Sequence, residues 1–263
     1  MPKTRLDTLL VERGLFESRS RAAAAVMAGG VRLGRDGARA GKPGQMVAGD
    51  VDLLVDAAPD FVSRGGIKLA NALDAFGVDP SGRDCLDVGA STGGFTDCLL
   101  KRGARHVVAL DVAYGELHWS LRQDDRVTVI ERTNARSLEP AALPYRPSLA
   151  VLDVSFISLA KVLPAVIGCA ADAFDCLALV KPQFEVGPAR VGRGGVVRSA
   201  ADRRAALVAV AEHARDQGWS AMGFASSGLP GPAGNRETFA WIAEPGRSEA
   251  LGDVEAAAAE VEP

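Results

Sequence analysis

The sequence is poor in several features, and each shortage removes a class of protein. Its 263 residues include only four cysteines, Cys85, Cys98, Cys169 and Cys176, with no Cys-x-x-Cys pair. That spacing suits neither a zinc site nor a disulfide frame. Three of the four lie in apolar runs, so they read as buried free thiols of a reducing cytosol, and no metal is expected. No apolar run approaches the roughly 18–20 residues of a membrane span. The start Met-Pro-Lys-Thr-Arg lacks a signal-peptide core, and no internal repeat is present. Net charge is only −3, so the chain as a whole is no obvious polyanion binder. With 48% hydrophobic and 24% charged residues, the length suits one large domain plus a small one.

What is present centres on Cys85-Leu86-Asp87-Val88-Gly89-Ala90-Ser91-Thr92-Gly93-Gly94-Phe95-Thr96-Asp97. A short apolar run ends on an acid, breaks into a glycine-rich turn and continues with helical spacing through Phe95, Cys98 and Leu99. This predicts a strand, a tight loop whose backbone can approach a ligand, and a helix N-terminus aimed at it. A second apolar run, Val107 to Leu110, ends on Asp111, where a doubly wound fold puts the acid that holds a ribose. Ser91 stands where a dinucleotide fingerprint has its second glycine, the residue that admits a pyrophosphate. A phosphate-free nucleoside such as S-adenosylmethionine fits better. The same residues also spell G-x-S-x-G, a hydrolase elbow, which needs a downstream acid and then a histidine. The available histidines are His106, His118 and His213. The first two come too early, and His213 lies in an alanine-rich helical run.

Charge is unevenly placed. Residues 1–45 hold nine Lys/Arg against four acids, whereas residues 244–263 hold six acids and one arginine. The basic stretch predicts two short helices, the first striped by Leu6, Leu9 and Leu10 and ending at Gly14. The second is capped by Ser18 and stopped at Gly29-Gly30. Strands at Val31–Leu33 and Val51–Val55 follow, with Asp36-Gly37 as a turn. A basic face is often only solvated, but Lys3, Arg5, Arg19, Arg21 and Lys42 suit contact with phosphates. The order Arg5-Leu6-Asp7, Ser18-Arg19-Ser20-Arg21, Gly30-Val31-Arg32-Leu33 resembles the alpha-L RNA-binding domain. Asp7 reads as structural there.

Ala57-Ala58-Pro59-Asp60 marks a linker. Beyond it, Leu69, Leu73 and Phe76 are helically spaced, with Lys68 at the edge of their apolar face. Further strands are expected at 127–130, 149–152, 176–180, 219–226 and 238–243, with helices at 159–171 and 203–217. The fold class is α/β, a Rossmann-like, mostly parallel seven-stranded sheet behind a small α+β domain. Ligands bind at the C-terminal ends of such strands, which places Asp153 and Lys181 in one cleft with Asp87 and Asp111. Asn134, in the loop after the third strand, can bond an adenine edge. For any one of these residues alone, a satisfied ion pair at the sheet rim is the simpler reading.

Taken together, Lys68, Asp153, Lys181 and Glu237 resemble the Lys-Asp-Lys-Glu tetrad of FtsJ-like ribose methyltransferases. The flanking segments Ser63-Arg64-Gly65-Gly66-Ile67-Lys68, Asp153-Val154-Ser155-Phe156-Ile157, Lys181-Pro182-Gln183-Phe184-Glu185 and Gly231-Pro232-Ala233-Gly234-Asn235-Arg236-Glu237 narrow the resemblance to the TlyA family. It covers the chain to about Ala243. The resemblance implies ribosomal RNA cytidine 2′-O-methylation in enzymes sometimes labelled hemolysins, with S-adenosylmethionine as cofactor. Ribosomal RNA or ribosomal subunits would be the partner, and a cytoplasmic monomer the working form. The boundaries expected are an RNA-binding domain at 1–58, a linker at 59–62 and a methyltransferase domain at 63–245; the acidic tail at 246–263 matches nothing in the family and is expected to be disordered. The cofactor residues would be Asp87, Gly89, Ser91, Gly93, Gly94, Phe95, Asp111, Asn134 and Asp153. Arg64 and Phe156 would join the basic residues in holding RNA.

The chemistry explains the residue types. A ribose 2′-hydroxyl is a poor nucleophile, and its proton must leave as the new bond forms. A lysine serves as the base when a second ammonium and burial favour its neutral form. By resemblance Lys181 is that base and Lys68 positions the hydroxyl, with Asp153 and Glu237 holding the two lysines. Methylation of a base nitrogen would favour an (Asn/Asp)-Pro-Pro-aromatic turn, and Asp153-Val154-Ser155-Phe156 lacks both prolines. Carbon-5 methylation would need a cleft cysteine, which none of these loops contains. Phe156 suits stacking on a flipped base, and a core position suits it equally well. A membrane-lysing protein would need an exposed apolar segment, and none is found.

Overall fold

The computed structural model describes residues 3–27, 30–34, 37–55 and 60–262. The chain forms two compact units, residues 1–60 and 61–263. Gly29, Asp36 and the linker residues Ala57–Pro59 lie outside the described residues.

In the first unit, β1 (Lys3–Arg5) leads into α1 (Leu6–Glu12), followed by α2 (Arg19–Met27), β2 (Val31–Leu33), β3 (Ala38–Arg39), β4 (Met46–Ala48) and β5 (Leu53–Val55). β1 pairs antiparallel with β4, and β2 is flanked antiparallel by β3 and β5. The expected leucine stripe of α1 is buried with Ala22, Val26 and Val31. Ser18 Oγ accepts from Arg21 N at 3.3 Å at the start of α2. Asp7 is buried and accepts from Arg5 at 2.7 and 3.1 Å and from Arg19 at 3.4 Å. Arg5 beside it holds its carboxyl well below the usual carboxylate range. Asp7 is therefore fully engaged inside the unit.

The second unit begins with α3 (Arg64–Phe76) and alternates strands and helices: β6 (Asp84–Val88), α4 (Gly94–Lys101), β7 (His106–Leu110), α5 (Trp119–Arg122), β8 (Val127–Ile130), β9 (Leu149–Leu152), α6 (Leu163–Gly168), β10 (Asp175–Val180), α7 (Pro182–Glu185) and α8 (Ala200–Asp216). It ends with β11 (Ser220–Ser226), β12 (Thr238–Ala243) and α9 (Val254–Val261). The sheet order is β11-β12-β10-β9-β6-β7-β8, parallel except for β12, which runs antiparallel to both neighbours. Nearly every residue of β6, β7, β9 and β10 is buried, as sheets covered on both faces require. All four cysteines are buried free thiols, and burial pushes Cys85, Cys98 and Cys176 up to about 12.

Sheet register builds the site. Val88 pairs with Leu152, so Gly89 and Asp153 leave the sheet side by side at the point where strand order reverses. Val180 pairs with Thr238, which brings Lys181 and Glu237 together at the next strand pair.

Two expectations need correction. The helix expected over 159–171 is broken into a 3-10 turn, Leu159–Lys161, and α6. Pro164 lies in the first turn of α6, where its missing N–H costs nothing, but it cannot continue a helix begun earlier. The acidic tail is not disordered: Asp253 caps α9 by accepting from Ala256 N at 2.9 Å. Val254 packs on Ala211 and Ala221, and buried Glu262 accepts from Arg203 Nε at 2.8 Å. The net charge of the tail concealed an alanine-rich helix with apolar residues on one face and a buried arginine to meet its last acid.

Candidate functional site

One cavity of about 660 Å³ opens at the C-terminal ends of β6, β9 and β10, within the size range of small-molecule sites. Its walls include Lys68, Asp153, Lys181 and Glu237, the loop residues Gly89, Ser91, Gly94 and Phe95, and also Arg64 and Phe156. The structure thus brings together all four tetrad positions.

The four form two ion pairs. Lys68 Nζ donates to Glu237 Oε2, with the side chains only 9% and 1% exposed. Lys68, expected at the edge of an apolar helix face, is therefore buried. Gly231 makes room for this pair, because a Cβ there would lie 2.3 Å from Glu237 Oε1. Lys181 Nζ stands 2.5 Å from Asp153 Oδ1 and donates to Ser155 Oγ at 2.9 Å. Asp153 Oδ1 is buried, and this short contact with the Lys181 ammonium is its partner.

The glycine loop is shaped for close approach. Gly89 has φ +84°, and a Cβ there would sit 2.6 Å from the Asp153 carbonyl oxygen. Gly93, at φ +94°, is the residue before α4. Asp87 is fully buried beneath the loop, accepts from Thr96 Oγ1 at 2.7 Å, and leaves Oδ1 without a partner among the described residues. Burial pushes this carboxyl up to about 7.

Not every expected cofactor residue faces the cavity. Asp111 accepts from Ser91 N at 2.7 Å and Ala113 N at 2.8 Å, and faces a hollow of only about 10 Å³ behind Ser91. Asn134 accepts from Arg136 N at 3.0 Å, capping a 3-10 turn, and does not line the main cavity. Lys3, Arg5, Arg19, Arg21 and Lys42 belong to the first unit and are exposed or half-exposed. Arg21 pairs with Glu17. Arg64 donates to the Pro230 carbonyl at 2.8 Å.

Phe156 is 91% exposed at φ +63°, with its ring 5.2 Å from that of Phe184. A core role is thereby excluded. The strained backbone fits a side chain held out for a partner. Sequence reading assigned no role to Ser155, Gln183, Phe184 or Asn235, all of which line the cavity. Only their presence in the flanking segments signalled them.

Among the described residues no histidine hydrogen-bonds Ser91, a bond that the hydrolase elbow requires. Ser91 Oγ donates to Glu116 at 3.1 Å, while the rings of His106 and His118 are engaged with Thr128 and Ser120. No described helix is long and apolar enough to cross a membrane.

Comparison with known proteins bears on the family and the fold. Residues 61–243 match the FtsJ-like methyltransferase family, and residues 4–52 match the S4 domain. The 16S/23S rRNA (cytidine-2′-O)-methyltransferase TlyA of Mycobacterium tuberculosis is 53% identical over 242 residues, covering 91% of this chain and 90% of the relative. Hemolysin A of Brachyspira hyodysenteriae is 37% identical, covering 90% of this chain and 98% of its own. A solved structure of a hemolysin candidate from Streptococcus thermophilus superposes with a TM-score of 0.75 at 40% identity, covering 99% of this chain and 96% of that one. The chain belongs to the TlyA family of FtsJ-like methyltransferases, with an S4 domain ahead of the methyltransferase fold.

Proposed function

We propose that the protein methylates the 2′-hydroxyl of cytidine in ribosomal RNA, using S-adenosylmethionine. The observation that carries this reading is the pairing of Lys68 with Glu237 and of Lys181 with Asp153 on one cavity beside the glycine loop. The residues fit the cofactor: the Gly89–Phe95 turn admits a ligand against its backbone, and Asp87 Oδ1 is a buried acceptor without a partner among the described residues. When bound, S-adenosylmethionine supplies an electrophilic methyl group on a sulfonium sulfur. Asp111 would hold the ribose once Ser91 releases it, and Asn134 the adenine.

Lys181 takes the proton of the 2′-hydroxyl, and Asp153 beside it stabilises the ammonium that results. Lys68, fixed by Glu237, orients the hydroxyl oxygen. Phe156 stacks on the target base lifted from its neighbours. Lys3, Arg5, Arg19, Arg21 and Lys42 grip phosphates, with Arg64 contributing at the cavity mouth. We propose a cytoplasmic monomer acting on ribosomal RNA or ribosomal subunits as the working form.

The test is transfer of labelled methyl from S-adenosylmethionine to unmethylated ribosomal RNA and subunits, followed by mapping of the product. Label at a cytidine 2′-oxygen is expected. Label on a base, or none on either substrate, would overturn the reading.

A further inference from the structure

Lys181 is held by two groups of different character. Asp153 contributes a charged carboxylate at 2.5 Å, whereas Ser155 Oγ, a neutral hydroxyl, accepts a hydrogen bond at 2.9 Å. One contact alone leaves the remaining N–H directions of the amine free to turn about it. The second contact, the hydrogen bond to Ser155, removes that freedom, because it fixes one N–H vector.

We propose that Ser155 is a positioning residue for Lys181, aiming its amine at the hydroxyl that gives up a proton. The proposal rests on the assignment of Lys181 as the base. A neutral amine has two N–H bonds and one lone pair at tetrahedral corners. With one N–H held by Ser155 and the amine drawn toward Asp153, the lone pair is turned to the cavity that all three residues line. As the hydroxyl oxygen takes the methyl carbon, the carbon–sulfur bond breaks with its electron pair left on sulfur, and the hydroxyl proton goes to Nζ.

The loops that carry the two residues are braced against each other. Glu185, four residues after Lys181, accepts from Ser158 Oγ at 2.7 Å and from Leu159 N at 2.9 Å. The Ser155 loop therefore cannot drift from the Lys181 turn without breaking these partly buried hydrogen bonds. Ser155 itself is exposed to the cavity, so a change there leaves the core intact.

The experiment compares single-turnover methyl transfer by wild type, Ser155→Ala, Ser155→Thr, Lys181→Arg and the Ser155→Ala/Lys181→Arg double variant, with cofactor and RNA affinities measured in parallel. Ser155→Ala should slow transfer by about tenfold to a hundredfold, with both affinities near wild type, as loss of one aligning hydrogen bond implies. Ser155→Thr restores the hydroxyl on the same carbon and should recover most of the rate. Because Ser155 acts through Lys181, the double variant should be no slower than Lys181→Arg alone. An unimpaired Ser155→Ala, a threonine variant as slow as alanine, or losses that multiply in the double variant would overturn the proposal. A Lys181→Arg variant of near-normal rate would instead remove the base assignment beneath it.

Discussion

Lys68 and Glu237, 169 positions apart in the chain, meet in an ion pair almost wholly removed from solvent. A pair so buried gains little net stability over an apolar replacement, yet losing one partner strands a charge. The arrangement therefore fits a site that needs an oriented ammonium better than a fold that needs stability.

Glu237→Ala should accordingly destabilise the protein by about 3–5 kcal/mol, the usual cost of an orphaned buried charge. The double variant Lys68→Ala/Glu237→Ala should be more stable than Glu237→Ala, since no charge is left stranded, and should still fail to transfer methyl groups. Urea unfolding and methyl-transfer assays on the same samples check both. A double variant that regains activity along with stability would show the pair to be structural.

Asp111 presents a different case, because its carboxylate is occupied by the loop it is expected to serve. Both oxygens accept from backbone N–H groups, of Ser91 and Ala113. Asp111→Ala should weaken S-adenosylmethionine binding by roughly 1.5–3 kcal/mol, the range for hydrogen bonds to a charged group, or about tenfold or more. Isothermal calorimetry reads this directly, and unchanged affinity would remove Asp111 from the cofactor site.

The contrast between these two residues shows what sequence can carry. Apolar runs ending in Asp87, Asp111 and Asp153 mark strands because burial on both faces demands unbroken hydrophobicity. The tetrad was legible only as a set, through the family resemblance; Lys68 alone marked only the edge of an apolar helix face. Ser155 was hidden because a single serine after a strand has no periodicity. The engagement of Asp111 depends on Ser91 at φ +46°, a backbone state no residue pattern announces. The strands β1, β3 and β4, two or three residues each, are too short for alternation to register. The helix α9 was missed because a count of acids hides Val254 and Ala258, which are buried on one face.

Asp87 makes the stability of the protein depend on pH. Its carboxyl is raised from 3.8 to about 7, chiefly by burial, partly opposed by the Thr96 hydrogen bond and reinforced by the nearby negative charges of Asp153 and Asp111. Between those two values the folded chain holds a proton that the unfolded chain has released. Stability from this group is therefore complete below about pH 4 and is lost as pH rises through 7. A shift of this size corresponds to roughly 4 kcal/mol, at about 1.4 kcal/mol per unit. Asp87→Asn keeps an oxygen for Thr96 Oγ1 and cannot ionise, so its stability should lack this component. Urea unfolding of wild type and Asp87→Asn, without cofactor, at half-unit steps from pH 5 to 8.5 isolates the effect as the difference between two curves. The wild type should lose stability relative to the variant as pH rises from 5 to about 7 and keep a constant difference above it. Parallel curves would mean that Asp87 is ionised throughout, with Oδ1 satisfied by a partner such as a bound water.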